Sequence, residues 1–300
     1  MPSVVRALAD AGAEVDVIHP LERAVDLSQV RVQHDMYVLR QMSRLSLSLA
    51  GALHEQGAVI VNPYPVTVAL RDRVIKSRVL QLAGVPTPTT YVASTPSQLA
   101  PLLEEGPLVI KPYQEGGQVK IVRTPAELAQ VELGRDPVFA QRYHPPQGRD
   151  CKIYVIGGQL FGVKKVFPRR TQEEKLGEPF TLTPELSDIA RRCGRAFEID
   201  LYGVDVIESD GKAYVVDMDS IPGYKGVPDA PLLLARYLYD AAERAVKEGP
   251  HRAGAEGTRE TFTDEESGHY AHQPKHHLQR KSPAASHTVH DHGWQPIYGD

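Results

Sequence analysis

The stretch from Gly203 to Val227 constrains this chain more than any other. "LYGVDVIES" and "KAYVVDMDS" are two strand-like runs joined by Ser209, Asp210 and Gly211, a turn that folds the second run back antiparallel to the first. Asp217 and Asp219 are two apart on the second strand and so leave it on one face. Asp205 lies on the first strand, where the pairing lets it join them. The flanking residues are apolar, so three acids would share partly dry surroundings, which raises carboxyl pKa values unless cations are at hand. A hard divalent cation with oxygen ligands answers that need, and Mg2+ takes one or two carboxylates together with substrate phosphates. The same spacing also suits a plainer arrangement, with Asp217 and Asp219 capping strand ends and Asp205 paired to a lysine.

The rest of the chain alternates helix and strand. An amphipathic helix in "SVVRALADAGAEVDVIHP" leads through a Gly turn to a predicted strand at Glu14–Ile18. An extended stretch near Met36–Leu39, a helix over Ser43–Gln56 and a strand at Ala58–Val61 follow, a pattern that implies a small parallel sheet. In such a unit the first helix should follow a first strand. Its absence is read as a start lying downstream of the true one, in preference to a family that has lost the strand.

"NPYP" at Asn62–Pro65 punctuates the chain, and a helix is expected from about Arg71 to Ala83, ended by Gly84. Then come a strand near Thr89–Val92, a helix over Pro96–Glu105, and strands at Leu108–Tyr113 and Gln118–Val122 paired antiparallel. "VFAQRY" from Val138 and a hairpin turning at Gly157–Gly158 continue the pattern. A helix over Pro184–Phe197 precedes the acidic strands, and a helix over Pro231–Lys247 follows them. Residues 250–300 carry eight histidines without the spacing of one defined metal site and read as a disordered tail. The expected organisation is an α/β unit at 1–62, a small subdomain at 63–140, a larger one bearing the acids at 141–249, and the tail.

A net charge of −4 without a basic stripe argues against nucleic acid or an anionic membrane as the main partner. No apolar run approaches the ~20 residues of a membrane span, and the N-terminus does not read as a signal peptide. Cys151 and Cys193 are far apart and read as reduced thiols of a cytoplasmic protein.

Basic residues precede and surround the acids. Lys76 lies in the helix expected from Arg71, and Lys111 ends a strand just before Gly116 and Gly117, a turn whose backbone N–H groups could approach phosphate oxygens. Lys152, Lys164, Lys165, Arg169 and Arg170 decorate the later hairpin and its exit. Each alone suits a surface charge. In this order around a carboxylate cluster they suggest a triphosphate clamp.

The order Lys76, Lys111 on "VIKPYQEGG", "VFAQRYHPPQGRDCKIYVIGG" and "YGVDVIESDGKAYVVDMDSIPGYKGV" resembles the ATP-grasp superfamily over about Asn62 to Lys247. The resemblance implies an ATP-grasp fold, of α/β (α+β) class, with the short segment before it standing as a truncated pre-ATP-grasp domain. Two branches are similar: the glutamate-ligase and glutathione-synthetase-like carboxylate–amine ligases, and, through "DMDSIPGYKGV", the inositol trisphosphate 5/6-kinases. The resemblance implies that Lys76 and Lys111 contact ATP phosphates with Gly116 and Gly117, and that Gln141, Arg142 and Tyr143 form the hinge for adenine. It implies that Asp205, Asp217 and Asp219 hold one or two Mg2+ ions, or Mn2+ in their place. Lys152 would face the acceptor or the terminal phosphate, with Arg169 as its catalytic companion, and Ser220–Gly226 would shape the acceptor pocket. The partners implied are ATP, a small-molecule or peptide carboxylate and an amine.

The chain also departs from the pattern. Asp217-x-Asp219 stands where Glu-x-Asn is usual, the Gly loop is short, and "KKVFPRRTQEEK" replaces the Arg-Ser-Asn element of the glutamate ligases. The expected activity is acyl-phosphate ligation. The alternatives are a kinase using Arg169, Arg170 and Lys225 for a phosphorylated polyol, and a nucleotide-binding protein without turnover.

Overall fold

The computed structural model describes residues 1–248, apart from 23, 41–42, 114–117, 133–135, 148–149 and 166–175. The expected positions of Gly116, Gly117, Arg169, Arg170 and the His-rich tail lie outside the described residues.

Three sheets organise the chain. The first pairs β1 (Tyr37–Val38) with β2 (Ile60–Val61) in parallel. Helix α2 (Arg44–His54) joins them, started by the Ser43 hydroxyl accepting from the Ser46 N–H, and Ala50, Ala58 and Ile60 form the small core beneath. The preceding helix α1 (Pro2–Asp10) is present. The strand expected at Glu14–Ile18 is not: that segment pairs with no strand, and Val17 and Ile18 are exposed. An apolar run forms a strand only where a neighbouring edge can take its backbone groups, and here it finds none.

The helix expected from about Arg71 to Ala83 is α4 (Arg73–Leu82), and a further helix that was not expected, α3 (Tyr64–Arg71), precedes it. Asp72 divides them: its carboxylate accepts from the N–H groups of Val74 and Ile75, which starts a new helix at Arg73. A four-stranded sheet follows in the order β3 (Thr90–Ala93), β6 (Val138–Arg142), β4 (Leu108–Lys111), β5 (Lys120–Val122), antiparallel throughout. The segment Pro96–Glu105 covers it as a 3-10 helix, not the expected α-helix, with Pro101 inside it. Proline lacks the N–H an α-helical turn needs and its ring crowds the preceding turn. The short helix α5 (Pro125–Ala129), absent from the sequence reading, completes this unit.

The large sheet is also antiparallel, in the order β11 (Lys212–Asp219), β10 (Leu201–Ser209), β7 (Asp150–Ile156), β8 (Gln159–Lys165), β9 (Glu178–Phe180). Alternation sets its two faces. Cys151, Ile153 and Val155 of β7 join Tyr202, Val204 and Val206 of β10 against α4 and α6 (Pro184–Phe197). Tyr154, Ile156 and Leu201 face the other way, toward α1 and α7 (Ala230–Glu248). Lys152, Gly203 and Asp205 have the parity of this second face. Of all these elements only β9, α3 and α5 were not expected from the sequence.

Candidate active site

The acids are set by strand register. Asp205 lies directly opposite Asp217 on one side and Lys152 on the other, while Gly203 lies opposite Asp219. A register irregularity follows Asp205, at the step to Val206. The Lys152 Nζ donates to Asp205 Oδ2 at 2.8 Å and to Asp219 Oδ2 at 2.7 Å. Asp217 turns to other cations: Lys76 Nζ at 2.5 Å and Arg73 Nη1 at 3.1 Å. The three carboxylates expected to act together are thus divided between two cation groups. Among the described residues no group of three or more His, Cys, Asp or Glu is set to hold a metal ion.

The electrostatics follow from burial and pairing. Burial alone would raise the Asp217 carboxyl, yet Lys76 and Arg73 outweigh it and hold the group below the ordinary range. Burial pushes Asp205 up, opposed by Lys152 and reinforced by Asp219. For Lys152, burial favours the neutral amine, but the two carboxylates dominate and hold it charged. Among the described residues Lys111 has no carboxylate in direct contact. Burial brings it down to about 8 against the pull of Asp217.

Both lysines expected to contact phosphate reach the outer edge of β11. Lys111 Nζ donates to the carbonyl of Val216 at 2.7 Å, and Lys76 Nζ to that of Met218 at 3.0 Å. The strand has β10 on one side only, so these carbonyls are open to donors from α4 and β4. Arg73 adds a third link, donating from Nε to the carbonyl of Pro112 at 2.9 Å while it holds Asp217. The sequence reading did not pick out Arg73. Its signal was its place three residues before Lys76 on one helix face.

At the expected hinge, Gln141 is buried in β6, and its Nε2 reaches the Thr90 hydroxyl. The Arg142 side chain is spent on the carbonyls of Gly106 and Leu102 and on Glu105. The backbone N–H groups of Arg142 and Tyr143 go to Thr89 and Pro107. Just beyond, His144 stacks on Tyr214 of β11 with ring centroids 4.1 Å apart, bringing the hinge against the acidic strand.

The segment expected to shape the acceptor pocket, Ser220–Gly226, borders a separate cavity of about 250 Å3 from Ile221 onward, lined on its other sides by α1, Val38, Arg40 and α7. Lys152 and Pro222 lie side by side over Gly203, where a Cβ would meet Pro222 at 2.8 Å and the Lys152 Cε at 3.3 Å. A larger cavity of about 580 Å3 lies along β8 and β9 and touches none of the residues expected to hold ATP. It meets the first only at Gly226.

Lysines from α4 and β4 thus reach one strand, β11, while Lys152 joins Asp205 of β10 to Asp219 of β11. The model of the RimK-like ATP-grasp domain matches residues 70–233, and the chain belongs to that family, one of ATP-grasp carboxylate–amine ligases. It is 24% identical over 284 residues to a probable alpha-L-glutamate ligase of Shewanella amazonensis, covering 85% of this chain and 94% of the relative. The fold matches that of a RimK domain ATP-grasp protein from Sphaerobacter thermophilus with a TM-score of 0.65 at 21% identity, over 79% of this chain and 94% of that one. It also matches the ATP-grasp ligase PsnB, solved with a minimal precursor, Mg and ADP, with a TM-score of 0.60 at 19% identity, over 82% and 94%. Among the described residues no helix is long and apolar enough to cross a membrane.

Proposed function

We propose that this protein activates a carboxylate with Mg-ATP and passes the acyl group to an amine. The observation that carries this reading is that Lys76 bonds to Asp217 and Lys152 to Asp205 and Asp219, while Lys111 reaches the Val216 carbonyl beside Asp217. We assign residues 63–140 and 141–249 to the two ATP-grasp subdomains and residues 1–62 to the domain that precedes them.

The residues present fit a divalent cation. The Lys152 ammonium already sits as a stand-in cation between two hard oxygen donors, Asp205 and Asp219, and two carboxylates with phosphate oxygens are what Mg2+ takes. When bound, the metal would neutralise phosphate charge. Asp217 would be a third ligand only by giving up Lys76 and Arg73.

The reaction proceeds in two balanced steps. A carboxylate oxygen of the acceptor attacks the terminal phosphorus of ATP, and the bond to the bridging oxygen of ADP breaks. The amine nitrogen then attacks the acyl carbon of the resulting acyl phosphate, inorganic phosphate leaves with the bonding pair, and the nitrogen loses a proton. Lys76 and Lys111 would exchange β11 carbonyls for phosphate oxygens, and Lys152 would turn to the transferred phosphoryl group. Positioning and charge neutralisation dominate such transfers. Gln141, Arg142 and Tyr143 would border adenine.

Incubation with Mg-ATP, hydroxylamine and a pool of carboxylic acids tests the reading. A hydroxamate formed with equimolar ADP is expected. Phosphorylated polyols appearing without hydroxamate would replace it with the kinase alternative.

A further inference from the structure

The Ser220–Gly226 cavity has a chemical character that the carboxylate–amine ligase reading alone does not specify. Its mouth is cationic. A Cβ on Gly223 would lie 3.7 Å from the Arg40 guanidinium and 3.7 Å from the Lys225 side chain, so the two cations flank a residue that has no side chain of its own. Among the described residues neither cation has an acidic partner. Arg40 makes only a long, 3.4 Å bond to the Ile221 carbonyl. Two cations left facing a cavity await an anion.

The interior differs. Val4, Leu201, Leu234 and Leu238 line it, and all four are buried members of the core under α1 and α7. The loop at its mouth is fixed by Tyr224, whose ring is buried against Tyr154 with centroids 5.4 Å apart. Apolar walls cannot satisfy the hydroxyls of a polyol or the second carboxylate of an acidic side chain, and burying such groups without partners is unfavourable. The volume, about 250 Å3, falls just below the range of drug-sized sites and suits a single small molecule. Pro222 of the cavity wall and Lys152 are both neighbours of Gly203.

We infer, resting on the ligase reading above, that the acceptor is a small carboxylic acid with an apolar side chain, of the size of one amino acid. Arg40 and Lys225 hold its carboxylate beside Lys152, and its apolar body enters the cavity toward Leu234 and Leu238. Arg40 is a substrate-binding residue contributed by the N-terminal segment, which makes that segment a determinant of acceptor choice.

The test measures hydroxamate formation with Mg-ATP and hydroxylamine across valine, leucine, phenylalanine, aspartate, glutamate and a glutamyl peptide. Hydroxylamine replaces the amine, so the readout isolates the acceptor. The apolar acids should exceed glutamate in kcat/KM by about tenfold or more. Arg40→Ala should raise the KM for the acid by about 10–100-fold with the KM for ATP nearly unchanged, and Arg40→Lys should recover part of the loss. Hydroxamate formed preferentially from glutamate or the peptide, or an acid KM indifferent to Arg40→Ala, overturns this inference and leaves the ligase reading standing. If no acid gives hydroxamate, the ligase reading falls, and calorimetric titration with leucine then decides the pocket: saturable binding lost in Arg40→Ala supports it, and absence of binding overturns it.

Discussion

Lys152 and Asp205 face each other as direct partners across β7 and β10, and the ammonium of Lys152 ties Asp205 to Asp219, one strand further on. One cation thus satisfies two carboxylates that would otherwise repel.

Removing that cation should leave the two acids unpaired. Lys152→Met keeps most of the aliphatic stem and should lower stability by about 1–3 kcal/mol, less than for a fully buried pair because both carboxylates are about a third exposed. Millimolar Mg2+ should restore part of the loss in Lys152→Met and do less for the wild type. Thermal denaturation with and without the ion checks both expectations, and an equal response in the two proteins would remove Asp205 and Asp219 from the metal assignment.

Lys111 predicts a pH dependence. Its folded pKa, brought down to about 8 by burial, lies below its ordinary 10.5. Between these values the unfolded chain binds more protons than the folded one, so this residue makes stability rise with pH from about 8 to 10.5. Nucleotide binding has the opposite sense, because a polyphosphate favours the charged amine. ATP affinity should fall as pH rises above about 8, with proton uptake on binding measurable by calorimetry in buffers of different ionisation enthalpy. In Lys111→Gln that uptake should vanish.

Asp217 acts at the other end of the scale. Its folded value lies below the ordinary 3.8, since Lys76 and Arg73 outweigh burial. The stability it contributes is present above 3.8 and is lost as pH falls through the lowered folded value. Asp217→Asn should flatten that acid limb in urea titrations carried out below pH 4.

Arg73 holds Asp217 and the Pro112 carbonyl with two different nitrogens of one planar fork. A lysine ammonium cannot match that geometry. Arg73→Lys should raise the KM for ATP by about tenfold while changing the KM for the acceptor little, as steady-state kinetics would show.

The acidic hairpin was legible because its turn, its alternation and its three aspartates are local, and the structure pairs Asp205 with Asp217 as those signals imply. Lys152 was legible as a basic residue of the site, but its register opposite Asp205 depends on how β7 pairs with β10, which no local pattern encodes. Arg40 gave no signal at all: it meets the loop at Gly223 only through the tertiary fold. The break at Asp72 was readable in principle, since aspartate is a strong helix N-cap, but the apolar period on either side masked it. At Glu14–Ile18 the reverse happened, a strand-like sequence with no neighbouring edge to complete it.

The lysines on β11 have a consequence beyond nucleotide chemistry. An outermost strand with open carbonyls is a template on which another polypeptide can add. Lys76 and Lys111 occupy the acceptors at Met218 and Val216, so the side chains assigned to phosphate also keep this margin of the sheet from recruiting foreign strands. A chain lacking both would be exposed to self-association along β11, independently of anything it does to ATP.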